Sequence, residues 1–300
     1  MDRLTEFDNL INKKYLDLDA YAESEKKNYI NSIPFPNIII KDFFDEDFLT
    51  DALNEFPDLS KINNSEIYKN KNEVKFANNN YENFPKKIKI FFDFLNSKIF
   101  LKFLQKISSI KETLITDPGL NGGGLHEIKR GGLLKVHTDF NRHPNLDLDR
   151  RLNVLIYLNK TWKEDFGGHL QFWDKDMKVC RKKITPLFNT MVIFSTTDFS
   201  NHGHPDPLNC PDGLSRKSFA TYYFSKGRPN DEIINQNLKN TTNFKDRYGY
   251  FNETIHKQEK LKNYFRSFSF YKYLKNIEKK IFRTGRSKKK RDKTNNDETN

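Results

Sequence analysis

The chain has 300 residues, a formal net charge of +12, 36% hydrophobic side chains and two cysteines, with a mean hydropathy of −0.83. That length supports one substantial domain with extensions. The composition excludes a helical membrane protein, since no run of about 18 apolar residues occurs, and a disulfide scaffold, since Cys180 and Cys210 alone make no framework.

Residues 1–32 are polar, and Leu10, Ile11, Tyr15 and Leu16 at helical spacing predict a helical extension. Its start, Met1-Asp2-Arg3-Leu4, is charged and lacks the apolar stretch of a secretory signal, so a reducing cytoplasm is expected. Ile33-Pro34-Phe35-Pro36-Asn37-Ile38-Ile39-Ile40 predicts a strand behind a proline-punctuated lead-in. The acidic stretch from Asp42 to Asp47, followed by periodic apolar residues, predicts a helix to Phe56. Residues 61–84, rich in Asn and Lys, predict a long surface loop. A second helix is expected over 86–109, with Ile90, Phe91, Phe94, Leu95, Ile99 and Leu101 on its apolar face.

From 112 to 226, short apolar runs alternate with clusters of Gly, Pro, Asn and Asp. Strands are expected at 125–128, 133–139, 152–158, 169–173, 187–195 and 216–224, a spacing that predicts an antiparallel sandwich or jelly roll. Gly122-Gly123-Gly124 and Gly131-Gly132 lack a P-loop lysine and the Rossmann spacing and read as turns. Beyond 228 the chain is polar again. A basic amphipathic helix is expected over 257–282, with Phe270, Leu274, Ile277 and Ile281 on one face, and disorder over 287–300. Residues 271–300 carry 11 Lys/Arg against 4 Asp/Glu, which is +7 of the +12 total. The basic character is therefore a property of the tail, and nucleic-acid binding by the body is not expected. The basic helix reads first as packing on its own domain, and second as a peripheral contact with an anionic membrane through 257–293.

A polar pair interrupts the apolar strand at 133–139. His137 and Asp139, two apart, share one face. Buried without partners they would cost on the order of a few kcal/mol. A hydrogen-bonded strand pair would satisfy them, and so would a metal. A remote imidazole is offered by His202 and by His204, and spacing alone does not choose between them. Two imidazoles and one carboxylate form the facial set of non-haem Fe(II) oxygenases, which leaves metal positions open. Arg216 shares a strand face with Ser218, Ala220 and Tyr222. Pointing inward it needs an anion, and a dicarboxylate co-substrate suits its guanidinium fork; pointing outward it would pair with a surface acid. Tyr157 shares a face with Asn153 and Leu155, where its hydroxyl either helps hold that carboxylate or belongs to an ordinary half-buried tyrosine. His126, His143, His169 and His256 receive no role, and neither cysteine has the frame of a nucleophile.

These motifs arrive in a telling order: His137-Thr138-Asp139, Arg151-Leu152-Asn153-Val154-Leu155-Ile156-Tyr157-Leu158-Asn159, Trp162, Gly167-Gly168-His169-Leu170, Pro186-Leu187-Phe188-Asn189, Phe194, His202-Gly203 and Arg216-Lys217-Ser218. Over roughly 33–226 the chain resembles the 2-oxoglutarate- and Fe(II)-dependent dioxygenases of the prolyl 4-hydroxylase type. The resemblance implies a mainly β, α+β fold: a double-stranded β-helix (jelly-roll) core over 112–226 with flanking helices. It implies an N-terminal extension at 1–32, a dioxygenase domain at 33–226, and a basic extension and tail at 227–300. It makes His137, Asp139 and His202 the Fe(II) ligands, and Arg216, with Tyr157 and Ser218, the holder of 2-oxoglutarate. O2 is the other co-substrate and ascorbate an optional reductant. Collagen-type members carry lysine at the Arg216 position, so arginine here looks more like the oxygen-sensing and ribosomal-protein hydroxylases. Related halogenases lack the carboxylate ligand, so Asp139 implies hydroxylation of an unactivated C–H bond, prolyl first, with release of succinate and CO2. The implied partner is a protein or peptide substrate. A small molecule or a sugar- or lipid-linked precursor is the alternative, and a non-catalytic β-helix scaffold or membrane-surface protein is the reading from another class.

Overall fold

Carboxylates and a serine set most of the helix starts in the computed structural model, which describes residues 9–232 and 241–247 together with Phe7. Helix α1 (Leu18–Ile30) begins at Asp17, whose side chain accepts from the Ala20 N–H, and α2 (Glu46–Asn54) begins at Asp45, which accepts from Phe48. The single helix expected over 86–109 is two, α3 (Lys86–Leu95) and α4 (Lys98–Ser108). The chain turns at Asn96-Ser97, and Ser97 Oγ caps α4 by accepting from Phe100.

The strands are β1 (Asn37–Lys41), β2 (Glu66–Lys69), β3 (Glu73–Asn78), β4 (Ile115–Thr116), β5 (Gly124–Lys129), β6 (Leu133–Thr138), β7 (Asp149–Tyr157), β8 (Leu170–Trp173), β9 (Cys180–Ile184), β10 (Thr190–Ser195), β11 (His202–His204), β12 (Ser215–Ser225) and β13 (Asn243–Phe244). Their main path runs β1-β10-β7-β12-β5-β3-β6-β11-β8-β9. Two differences from the sequence expectation bear on the site. The loop expected over 61–84 contains the β2–β3 hairpin, and β3 pairs with both β5 and β6. Asn70 turns the hairpin by accepting from the N–H groups of Asn72 and Glu73, a local role that an Asn-rich segment disguises as mere polarity. β13 lies in the stretch read as a polar extension, yet Asn243 and Phe244 pair with Thr138 and His137. The helix expected at 257–282 and the tail at 287–300 lie outside the described residues.

Strand alternation divides the sheet between two buried faces. Val154, Ile156, Met191, Ile193, Phe219 and Tyr223 face the helices and join one core with Phe91, Phe100 and Phe103. Leu18, Ala22 and Tyr29 of α1 belong to the same core. The opposite parity, including Tyr157, Val192 and Phe194, faces inward toward Leu170 and Phe172 of β8. β5, β7 and β12 thus oppose β6, β8 and β11 across an enclosed space, a cavity of about 170 Å³. No helix among the described residues is long and apolar enough to cross a membrane.

Candidate metal centre

β6 and β11 run side by side, with His137 directly opposite His202. Gly203 makes this approach close: a Cβ there would lie 2.7 Å from the Lys135 carbonyl oxygen and 2.8 Å from that of Leu134. Gly203 is thus a demand of strand packing, where the sequence suggests only a loose backbone between two histidines. The two imidazole rings end 4.5 Å apart, centroid to centroid. Asp139, just past β6, faces both. Its Oδ1 is 3.4 Å from His137 Nε2, and its Oδ2 is 3.4 Å from His202 Nε2. One ligand-capable atom from each of these three residues lies within 4.8 Å of the others. His204 is not part of this cluster.

The ring protons lie on the far side. His137 Nδ1 is 2.8 Å from the Lys135 carbonyl and His202 Nδ1 is 2.9 Å from that of Ser200. A carbonyl only accepts, so each Nδ1 carries a proton and each Nε2 faces the carboxylate. Burial pushes the His202 imidazole down to about 4, against the pull of Asp139. Burial pushes the Asp139 carboxyl up, but Arg150 and the two imidazoles outweigh it and hold the group well below the usual carboxylate range. Two imidazole nitrogens and an anionic carboxylate therefore converge on one buried point. Such a donor set fits a divalent transition-metal ion.

Across the cavity, Arg216 of β12 is buried, 4% exposed. Its Nε–H donates to the Gly168 carbonyl at 2.8 Å and its Nη2 to the Tyr157 hydroxyl at 3.1 Å. Gly168 stands at φ +71° with its backbone against the Arg216 stem, so a Cβ there would lie 3.0 Å from Arg216 Cδ. Among the described residues no carboxylate lies within ion-pair distance of this guanidinium. Ser218, opposite Tyr157 in the β7–β12 register, lines the same cavity. An acceptor-only, anionic group is what the Arg216 end lacks.

Residues 123–224 match the family model of the 2OG-Fe(II) oxygenase superfamily. By that match the protein is an oxidoreductase whose metal is Fe(II) and whose co-substrates are 2-oxoglutarate and O2. The oxygenase is similar to a prolyl hydroxylase from Trichoplax adhaerens, solved in complex with a hypoxia inducible factor oxygen degradation domain peptide fragment. The two share 18% identity over 72% of this chain and 94% of that one, with a TM-score of 0.52. Prolyl 4-hydroxylases from Phytophthora capsici give 20% identity, 73% and 69% coverage and a TM-score of 0.48. The first likeness shows the fold, the expected double-stranded β-helix with flanking helices. No curated protein matches the sequence.

The oxygenase site also contains residues that the sequence does not reveal. Arg150, 1% exposed, places Nη2 3.2 Å from Asp139 Oδ2, while its Nε–H donates to Asn153 Oδ1 at 2.9 Å. Asn153 Nδ2 in turn donates to Asp139 Oδ2 at 2.6 Å. The guanidinium carbon lies 3.3 Å from the Tyr222 ring centroid and 4.5 Å from that of Phe140. Strict alternation would put Arg151, not Arg150, on the face of Asn153 and Tyr157. The β7–β12 register shifts at this point, with Tyr223 opposite Leu152 and Phe224 opposite Arg150, so Arg151 is bulged out and Arg150 turns inward. The β2–β3 hairpin adds Tyr68, Glu73 and Lys75 to the cavity, and Thr242 enters beside β13.

Proposed function

We propose that this oxygenase is a hydroxylase in which His137, Asp139 and His202 hold Fe(II), and Arg216, with Tyr157 and Ser218, holds 2-oxoglutarate. The observation that carries the assignment is the convergence of two imidazole nitrogens and one carboxylate oxygen in a buried place. Nε2 of each imidazole lies 3.4 Å from an Asp139 oxygen, and one divalent cation among them serves all three donors at once. The Arg216 guanidinium, without an acid among the described residues, supports the second half: the distal carboxylate of a keto-diacid supplies the missing anion. With the metal and both co-substrates bound, the centre supplies oxidative decarboxylation of 2-oxoglutarate to succinate and CO2, coupled to hydroxylation of a C–H bond.

The chain's own residues do the placing. Backbone carbonyls fix both imidazole tautomers, Arg150 and Asn153 hold the Asp139 carboxylate, and Gly168 and Tyr157 aim the guanidinium. The inward aromatic residues of β8 and β10 pack together beside the cavity, and the Phe194 ring stands edge-on to His202 with centroids 4.6 Å apart. For the substrate we propose a peptide, hydroxylated at proline. The motive is the fold likeness to an enzyme solved with a peptide fragment. A cytoplasmic location is part of the same proposal, supported by the two free cysteines.

Succinate release tests the reading. Fe(II)- and 2-oxoglutarate-dependent succinate formation should rise when a proline-containing peptide library is added, and His137→Ala or Asp139→Ala should abolish it. Stimulation by free amino acids or sugars but by no peptide would overturn the substrate class. Turnover that survives both substitutions would overturn the site.

A further inference from the structure

β11 places a second imidazole in the cavity. His204 lies two residues past His202, and both line the same cavity. It is 3% exposed and lines the cavity together with Arg216, Tyr157 and His126. Neither Nδ1 nor Nε2 of His204 has a hydrogen-bond partner. The other buried imidazoles are anchored: His137 and His202 to carbonyls, and His143 Nδ1 to the N–H groups of Asn145 and Leu146. A buried polar group left in this state is costly, and native structures satisfy such groups or keep them for a ligand.

The partner that His204 lacks is also the partner that Arg216 lacks. The guanidinium spends Nε–H on Gly168 and an Nη2 proton on Tyr157, and its charge meets no acid among the described residues. A carboxylate offers two oxygens with roughly four lone-pair sites, enough for a guanidinium edge and one imidazole N–H together. An imidazole carries at least one N–H in either protonation state, so the contact needs no titration.

We propose that His204 is a co-substrate-binding residue: its ring N–H and the Arg216 guanidinium together hold the distal carboxylate of 2-oxoglutarate. The assignment rests on the Arg216 reading given above. It makes the anion site two-handed, and it explains why a strand so short keeps two histidines lining the cavity while only the first joins the cluster with His137 and Asp139.

Calorimetric titration of 2-oxoglutarate into the full-length, Mn(II)-loaded protein tests it, with Mn(II) affinity and melting temperature measured alongside. His204→Leu should weaken 2-oxoglutarate binding at least tenfold while leaving Mn(II) affinity within about twofold. Its melting temperature without co-substrate should equal or exceed that of wild type, since an unsatisfied polar group has been removed. His204→Gln, which keeps an N–H donor, should bind nearer to wild type. Should the leucine variant fail to fold, His204→Asn, too short to reach, against His204→Gln carries the same comparison. Wild-type 2-oxoglutarate affinity in His204→Leu, with affinity lost in Arg216→Ala, would overturn the His204 assignment and leave the Arg216 reading standing. Unchanged affinity in both would overturn the Arg216 reading. Loss of Mn(II) binding in His204→Leu would make His204 a metal ligand and overturn the proposal as well.

Discussion

Asp139 is held by two neighbours that have no free choice of conformation. Arg150 is clamped between the Tyr222 and Phe140 rings, and Asn153 reaches the same carboxylate oxygen from β7. Groups that orient a metal ligand typically account for a 10- to 100-fold effect on metal affinity. Arg150→Leu should therefore weaken Fe(II) or Mn(II) binding by about tenfold or more, measured by metal titration, and Arg150→Lys should not restore it, because an ammonium can neither stack flat on Tyr222 nor reach two acceptors at once. Wild-type metal affinity in Arg150→Leu would remove this role. Much at this level was legible in the chain. His137 and Asp139 stand out because a period of two puts both on one face, and Arg216, Tyr157 and Ser218 follow the same rule. Arg150 was not legible, because a bulge reverses the parity at Arg151 and leaves no mark in the sequence. The choice between His202 and His204 was open for a related reason. Both line the cavity, and only the distance to Asp139 separates them.

Gly203 fixes how β11 meets β6. Two carbonyl oxygens lie within 2.8 Å of where its Cβ would be, so Gly203→Ala must push the strands apart and with them His202 from His137. The expected cost is about 1–3 kcal/mol of stability, read as a lower melting temperature, together with weaker metal binding. A variant that melts and binds metal like wild type would show that the close approach is dispensable. The β2–β3 hairpin is one of the elements that sequence reasoning missed. Its Asn and Lys residues suggest a loop, while Val74 and Phe76, two apart, carry the strand signal and β3 pairs with β5. The break between α3 and α4 was also hidden, because the apolar period runs through Asn96-Ser97 without interruption and only the Ser97 cap reveals the new start.

The curled sheet and its helical backing make one compact unit through Arg247. Strands β7, β8, β10 and β12 were readable because nearly every position in them is buried, on one face or the other. The closure of the sheet was not, because closure depends on long-range pairing such as β3 with β6 and β13 with His137. Arg151, expelled from the cavity by the bulge, ties β7 to distant chain. It pairs with Glu112 at 2.7 Å and donates to Ser225 Oγ at 2.9 Å. The Arg151 hydrogen bond holds the Glu112 carboxyl below its ordinary value, against the opposing effect of burial. A depressed carboxyl contributes stability in full above its unfolded pKa, about 4.3, and that contribution is lost as pH falls through the lowered folded value. Glu112→Gln should lower the melting temperature at neutral pH and flatten the decline of stability in acid. Parallel acid limbs for variant and wild type would contradict this linkage.

The central claim is that two imidazoles, one carboxylate and a guanidinium form a single site for ferrous ion and keto-diacid. Anaerobic titration of Fe(II) with 2-oxoglutarate, followed by the weak visible charge-transfer band of the chelate, reads that site before any turnover. The wild-type protein should develop the band. His137→Ala and Asp139→Ala should abolish or strongly weaken it, and Arg216→Ala should shift it to far higher co-substrate concentration. A band of unchanged strength and midpoint in all three variants would contradict the account.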